Sequence, residues 1–451
     1  MAGKFESPRK KGKRIWLVLP LALLALAVGC LALTLGREGE TPAEGTLPSF
    51  TAPLEVTQMP STEPAETTEP AASVTSSASL AVQGDLLMHA TFFQQKYNPA
   101  CRVGAGEYDF SSIFRYLTPY TESADYAVAN LETTLGGDDF PYQGNPAFNC
   151  PDAILDAVKE TGYDLLLTAN NHSYDTLMTG VNRTLEKTRD AGVDTLGTRL
   201  TGDEDRFAVK EINGIKIGMV CYTYTMAMSG GKPKLNDNAP VAKPEQINYF
   251  SYQNLPGFYS EVEAIMETMK QQGAEATMLY IHWGTEYETV ENENQRKIAQ
   301  KMCDLGFDVI VGGHPHVVQP MALLESTVDP GHKTVCIYSL GNAVSNQRRH
   351  LMRLKTGHTE DGALFTVTFE KWSDGTVKVA DCDVLPTWVH LYENSEGKNE
   401  YNILPLDVQK REQWAEIFGV SEEVCQELHN SYDRTMAIVG EGLEQCRTYL
   451  S

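Results

Sequence analysis

Nine side chains able to hold a divalent cation or move a proton stand at or just after apolar runs: Asp85, His89, Glu132, Asn170, Asn171, His172, His282, His314 and His316. Carboxylate oxygens and neutral imidazole nitrogens bind divalent metals. One bridging carboxylate can hold two ions about 3.5–4 Å apart. A two-metal site draws roughly six or seven protein ligands from several strand ends. The densest stretch is Thr168-Ala169-Asn170-Asn171-His172-Ser173-Tyr174-Asp175. In Gly313-His314-Pro315-His316, the proline stiffens two imidazoles one residue apart, so that they can face different metals.

Each of these residues also has an ordinary use. Asp after Gly84 commonly closes a turn or caps a helix, and asparagines favour turns. Glu132 by itself reads as a cap or a surface charge. His282 after an apolar run serves equally well as a satisfied buried histidine. His332, His350, His358, His390 and His429 lack such contexts and read as surface or structural. The recurrence of metal-binding types at successive strand ends is what points to one metal site.

The elements that must position them alternate. Leu80 and Val82, Ala124–Ala129, Tyr163–Leu167, Asp194–Gly197, Thr277–Ile281, Asp308–Val311 and Thr334–Ser339 read as strands. Between them, Pro151–Glu160, Met178–Ala191, Glu261–Gln272 and Asn292–Leu305 read as helices with a glycine just beyond each end. Asn213-Gly214 and Asp374-Gly375 each sit between two strand patterns, which predicts hairpins. An α/β layered domain follows, and such folds place chemistry at the carboxyl ends of their strands. The tail from Asp407 has Val424, Leu428, Tyr432 and Val439 at near-helical spacing.

The 451 residues carry a formal charge of −23; residues 1–14 are basic, leaving about −28 on the remainder. That argues against nucleic-acid or anionic-membrane binding by the main body. Ile15–Leu35 is long and apolar enough to cross roughly 30 Å of hydrocarbon. The lysines before it place the N-terminus in the cytoplasm and the remainder outside. A cleaved signal peptide and a lipoprotein signal ending at Cys30 are the competing readings. Residues 36–78 are rich in Ser, Thr, Pro and Glu and read as a disordered linker. In an exported chain Cys101 could pair with Cys150, and Cys425 with Cys446.

Six blocks in order resemble the CapA family of bacterial poly-γ-glutamate capsule proteins, a branch of the calcineurin-like metallophosphoesterases. They are Gly84-Asp85-Leu86-Leu87-Met88-His89, Asn130-Leu131-Glu132, Ala169-Asn170-Asn171-His172 through Asp175, His282-Trp283-Gly284-Thr285-Glu286-Tyr287, Gly313-His314-Pro315-His316-Val317-Val318-Gln319, and Tyr338-Ser339-Leu340-Gly341-Asn342. The resemblance covers residues 79–347. It implies a four-layer α/β/β/α sandwich. Residues 348–451 read separately as a C-terminal extension of hairpin and helices packing on the main domain. By the same resemblance Asp85 binds one metal and Glu132 bridges. Asn171 and His282 bind the second, and His314 and His316 complete the two sites. His172 becomes the general acid, oriented by Asp175. The implied cofactors are two divalent ions, Mn, Fe, Zn or Mg, which would activate water. Two departures bear on metal occupancy. His89, also a candidate catalytic residue, lies four residues beyond Asp85 rather than two, and Asn130-Leu131-Glu132 replaces the superfamily's Gly-Asp.

Asn170, Glu286 and Asn342 are candidate substrate contacts. Arg348, Arg349, His350, Arg353 and Lys355 form a basic run in an acidic protein, with Arg348 and Arg349 expected to grip an anionic substrate. The whole reads as a membrane-anchored, extracytoplasmic protein acting in synthesis, export or attachment of poly-γ-glutamate, through metal-dependent hydrolysis or transfer at an amide or phosphoester. Its expected partners are the membrane, an anionic polymer and subunits of a polymer synthase. A non-catalytic partner of such a synthase and a secreted phosphoesterase unrelated to capsule are the alternatives.

Overall fold

The computed structural model describes residues 72–451 apart from Asp237. The basic tail, the expected span Ile15–Leu35 and most of the expected linker lie outside the described residues. Within the described residues no helix is long and apolar enough to cross a membrane.

Two sheets form the centre. The first contains β1 (Val74–Leu86), β2 (Tyr126–Leu131), β3 (Leu165–Leu167) and β4 (Asp194–Leu196). The second begins with the hairpin β5 (Phe207–Ile212) and β6 (Ile215–Tyr224). Its turn residues Asn213 and Gly214 have φ 49° and 80°, as an Asn-Gly hairpin requires. A separate hairpin, β7 (Ala227–Ser229) and β8 (Lys232–Lys234), pairs with neither sheet. The second sheet continues with β9 (Tyr249–Phe250), β10 (Ala276–His282), β11 (Val309–Gly313), β12 (Val318–Glu325) and β13 (Lys333–Leu340). The chain then returns to the first sheet with β14 (Asn342–Val344), β15 (Asp361–Trp372), β16 (Val377–Glu393) and β17 (Asn399–Pro405). The sheet orders are β17-β16-β15-β1-β2-β3-β4, with β14 on β1, and β12-β13-β11-β10-β6-β5, with β9 on β6.

The helices are α1 (Ser111–Phe114), α2 (Thr118–Thr121), α3 (Ile154–Glu160), α4 (Leu177–Asp190), α5 (Leu255–Gln271), α6 (Glu293–Asp304), α7 (Trp414–Phe418) and α8 (Glu422–Leu450). Strand alternation sorts the side chains into layers. Leu80, Val82 and Val128 of the first sheet meet Met219, Tyr280 and Ile337 of the second in a shared core. Ala81, Ala127 and Leu166 point the other way, toward Ile113, Phe114 and Val158 of α1 and α3. Val220, Leu279 and Ile310 pack against Phe258, Val262, Ile298 and Met302 of α5 and α6. The molecule is therefore a mixed α/β protein with two sheets face to face and helices outside both.

β1, β2 and β3 run parallel, as do β6, β10, β11 and β13. Their carboxyl ends carry the candidate residues to one rim. Gly84 interrupts the β1–β2 register, and the shift sets Asp85 opposite Asn130. A side chain at Gly84 would stand 2.0 Å from the Gly341 carbonyl oxygen, so only glycine lets these two segments meet.

The boundaries move at both ends of the expected domain. β1 begins at Val74, inside the stretch read as linker, because Val74–Gln83 pair with Trp372–Leu364 of β15. Residues 348–451 pack on the rest of the domain and also supply strands to its first sheet: β15 lies beside β1, and α8 covers β12 and β16. Val439, Leu443 and Cys446 of α8 enter the core shared by the sheets. All the cysteines among the described residues are free thiols, and Cys446 lies against Cys382 rather than Cys425.

The α8 anchor is ionic as well as apolar. Buried Asp361, at the start of β15, accepts from Ser431 Oγ (2.6 Å) and from Arg434 Nε (2.8 Å) and Nη2 (2.7 Å). Arg434→Met leaves that carboxylate buried without its cation and should cost about 3–5 kcal/mol in denaturant unfolding. Adding Asp361→Asn should recover a large part of the loss; a single variant as stable as the parent would remove this pair from the anchor.

Candidate metal centre

Asp85, Glu132, His282, His314 and His316, drawn from four segments spread over both sheets, lie buried in two overlapping groups. Glu132, His282 and His314 form one, and Asp85, Glu132 and His316 the other. Within each, the ligand atoms lie no more than 4.8 Å apart. Glu132 belongs to both, as a bridging carboxylate must. Asn171 joins the first group: its Oδ1 stands 2.7 Å from His282 Nε2, which is also 3.4 Å from Glu132 Oε1.

The backbone strains to make this convergence. His314 and His316 have φ of 96° and 56°, the left-handed region that side chains avoid. Such conformations cost on the order of 1–3 kcal/mol each and persist where surroundings over-determine them. Pro315 between them restricts the alternatives. His316 Nδ1 lies 3.1 Å from Asn342 Oδ1 and 3.3 Å from Asp85 Oδ2. Asn342 Nδ2 donates to the carbonyls of His316 and Thr359 and to Gln347 Oε1. Asn342 is thus a support for His316. Asp85 is steadied by Asn130 Nδ2 (2.7 Å), and Asn130 in turn accepts from Asn170 Nδ2 (3.1 Å).

Burial drives the electrostatics. It raises the Glu132 carboxyl well above the ordinary range, and the adjacent Asp85 charge adds to this. Burial also pushes Asp85 upward, but His316, His282 and the Asn130 amide outweigh it and leave that carboxyl below its usual value. Burial depresses His282 to about 3 against the pull of Asp85, and holds His314 well below the ordinary imidazole range. Both Glu132 oxygens and His314 Nδ1 have no hydrogen-bond partner. Neutral imidazoles, two buried carboxylates and three orphaned acceptors fit a divalent cation, which would satisfy them together.

Beside this cluster, His172 Nδ1 meets Asp175 Oδ2 at 2.7 Å. Asp175 also accepts from the Phe148 amide (2.6 Å) and from Asn238 Nδ2 (2.9 Å). Phe148 packs edge-on to His172, with ring centroids 4.6 Å apart. Because Asp175 occupies Nδ1, the His172 Nε2 is left for other work. His89 stands outside the two ligand groups. The Asn346 amide donates to its Nδ1 (3.1 Å), its ring abuts Phe148, and burial lowers it to about 4. Glu286 is exposed, near enough for its charge to raise Glu132.

Arg348 and Arg349 do not form the expected anion-gripping surface. Arg348 is buried, donates to the Val389 carbonyl (2.5 Å) and pairs with Glu360 (3.4 Å). Arg349 pairs with Glu360 (3.0 Å) and Glu427 (2.9 Å). These charges hold the 345–360 segment to α8. Asn130, Phe148, Asn236 and Asn238 also support the site, though none is among the candidate ligands or catalytic residues read from sequence. Only Asn130 carried a signal, its place beside Glu132 at a strand end.

Two face-to-face sheets with carboxylates and imidazoles gathered at one rim define a mixed α/β protein with a candidate metal centre. The sequence model of the family described as "Bacterial capsule synthesis protein PGA_cap" matches residues 79–347, and the chain belongs to that family. It is 28% identical over 282 residues to the "PGA biosynthesis protein CapA" of Bacillus subtilis (strain 168), covering 60% of this chain and 65% of that protein. It is 28% identical over 245 residues to the "Capsule biosynthesis protein CapA" of Bacillus anthracis, covering 53% and 55%. The match therefore spans less than two thirds of either relative.

Without metal, burial and the Asp85 charge favour a protonated Glu132, whereas burial favours neutral His282 and His314. An entering cation expels that proton, so affinity should rise about tenfold per pH unit while pH stays below the raised Glu132 value. Glu132→Gln should bind metal more weakly and lose this slope. Calorimetric titration with Mn or Zn at several pH values measures both; an unchanged slope would contradict the bridging role.

Proposed function

We propose that this protein acts in the synthesis, export or attachment of an anionic capsule polymer, poly-γ-glutamate, as a metal-dependent hydrolase or transferase at an amide or phosphoester bond. The observation that carries the reading is the pair of ligand groups sharing Glu132, whose two buried oxygens have no hydrogen-bond partner. The names of the two relatives supply the capsule context.

Asp85, Glu132, His282, His314 and His316, with Asn171, would hold the ions, one or two of Mn, Fe, Zn or Mg. Bound there, divalent metal supplies a Lewis acid and a nucleophile formed from water at neutral pH. His172 supplies the proton that the leaving group needs, from Nε2. Asp175 fixes the ring by accepting from Nδ1 and stabilises its charged form. The Phe148 amide and Asn238 keep Asp175 from turning away. Asn170 holds the His172 loop in place, donating to the Asn130 side chain and the Leu131 carbonyl and accepting from the His172 amide. The fold class this implies is the four-layer sandwich of the calcineurin-like metallophosphoesterases. The protein is further proposed to be anchored through Ile15–Leu35, with its folded part outside the cell.

His172→Gln should lower kcat on a γ-linked glutamate polymer by about 10²–10⁴ while metal content stays at the parent level. Asp175→Asn should give a smaller loss. The parent enzyme, loaded with metal, is assayed on that polymer and on a generic phosphodiester. Activity on neither substrate would overturn the catalytic reading, and activity on the phosphodiester alone would overturn the polymer assignment.

A further inference from the structure

A carboxylate-rich chain approaching this site meets a protein of formal charge −23. Salt screens that repulsion beyond about 8 Å, so cations close to the chemistry must do the holding. Arg348 and Arg349 are already neutralised by Glu360 and Glu427. A second group of cations lies on the segment whose Asn236 and Asn238 bond Asp175.

After β6 the chain leaves the second sheet and makes the isolated hairpin β7–β8. Its turn, Gly230-Gly231, has φ 58° and 78° and open space around it. On one arm Met226 and Met228 are 50% and 45% exposed. On the other stand Lys232 and Lys234, with Lys243 just beyond. Residues 226–243 hold three lysines and one acidic residue, the reverse of the balance elsewhere. The lysine ion pairs among the described residues involve Lys210, Lys297, Lys333, Lys371, Lys398 and Lys410, and none of these three.

The hairpin is rooted in the catalytic loop. Thr225 Oγ1 ties its two arms together through the carbonyls of Ala227 and Lys234, at 2.8 Å each. Two residues after Lys234, Asn236 Nδ2 donates to the Pro146 carbonyl (2.7 Å) and to Asp175 Oδ1 (3.3 Å). Asn238 bonds the same carboxylate oxygen. The Lys234 Cα therefore lies within about 7 Å of a residue touching Asp175. Lys243 follows Ala242, whose amide donates to the Tyr174 hydroxyl (3.1 Å). Lys232 Nζ donates to the Ala242 carbonyl (2.9 Å), which brings the hairpin and the 242–243 segment together.

We propose that this hairpin is the arm that grips the polymer. Lys232, Lys234 and Lys243 receive carboxylates of an extended anionic chain, and Met226 and Met228 lie along its methylene groups. A γ-linked glutamate chain offers both surfaces: two backbone methylenes and one carboxylate per residue. Unbranched thioether side chains suit such a flexible apolar strip. The inference rests on the polymer reading given above and adds the element that does the binding.

The test is binding of a fluorescent γ-linked glutamate oligomer to the full, metal-loaded chain, followed by anisotropy at low and physiological salt. One variant carries Lys232→Glu, Lys234→Glu and Lys243→Glu. A control of equal charge change carries Lys187→Glu, Lys270→Glu and Lys301→Glu, in the last turns of α4, α5 and α6, away from the rim. The arm variant should bind about tenfold or more weakly and lose most of the salt dependence, with the control within about twofold of the parent. Parent-like binding by the arm variant, or equal loss in both, would overturn the arm while leaving the polymer reading in place. A parent protein that ignores the oligomer at either salt concentration would overturn both.

Discussion

Two carboxylates and three imidazoles are taken out of water together, and the fold can tolerate that only if something positive joins them. Asp85 and Glu132 are wholly buried, and the proton equilibria of their neighbours oppose one another. Burial favours neutral His282 and His314 and a protonated Glu132, whereas the neighbours of Asp85 favour its charged form. Removing ions from water costs several kcal/mol each unless they are well paired. The strained backbone of His314 and His316 adds to the cost. A divalent cation held by these side chains would offset that cost. The surrounding architecture serves to keep those side chains from escaping to solvent.

Two parallel segments of sheet, stacked face to face, bring their strand ends to a single rim. Neither sheet contains the whole ligand set: Asp85 and Glu132 follow strands of the first, His282 and His314 strands of the second. The core between the sheets therefore holds the two halves of the centre in register. α8 seals that core with Val439, Leu443 and Cys446, and its ion pair to Asp361 fastens β15 next to β1. Stability at the far C-terminus thus bears on geometry at Asp85. The hydrogen-bonded asparagines 130, 170, 171 and 342 form an inner lining that fixes ligands without adding charge.

Much of this was legible in the sequence because apolar runs end where the chemistry begins. Asp85, Glu132, His282, His314 and His316 each follow a run that had to be a buried strand, so their convergence followed from the α/β pattern. What was illegible depends on distant partners. The basic run at Arg348 looked like an open anion site because Glu360 and Glu427 are joined to it only by folding. β12 was missed since Pro320 lies within it; the strand survives because it is the edge of its sheet. The strand after Asp374-Gly375 runs on through Pro386 to Glu393, a length that its pairing with β17 supports and no local pattern announces. Phe148, Asn236 and Asn238 reach the site on irregular excursions with no periodicity to announce them. The hairpin β7–β8 was unseen because its strands span three residues each.

The central claim concerns where cations sit. Anomalous diffraction from crystals grown with Mn measures this directly. The account predicts density flanked by Glu132, His282 and His314, with a second position flanked by Asp85, Glu132 and His316 if both are filled. Absence of metal density there, with Glu132 turned away or hydrogen-bonded elsewhere, would contradict it.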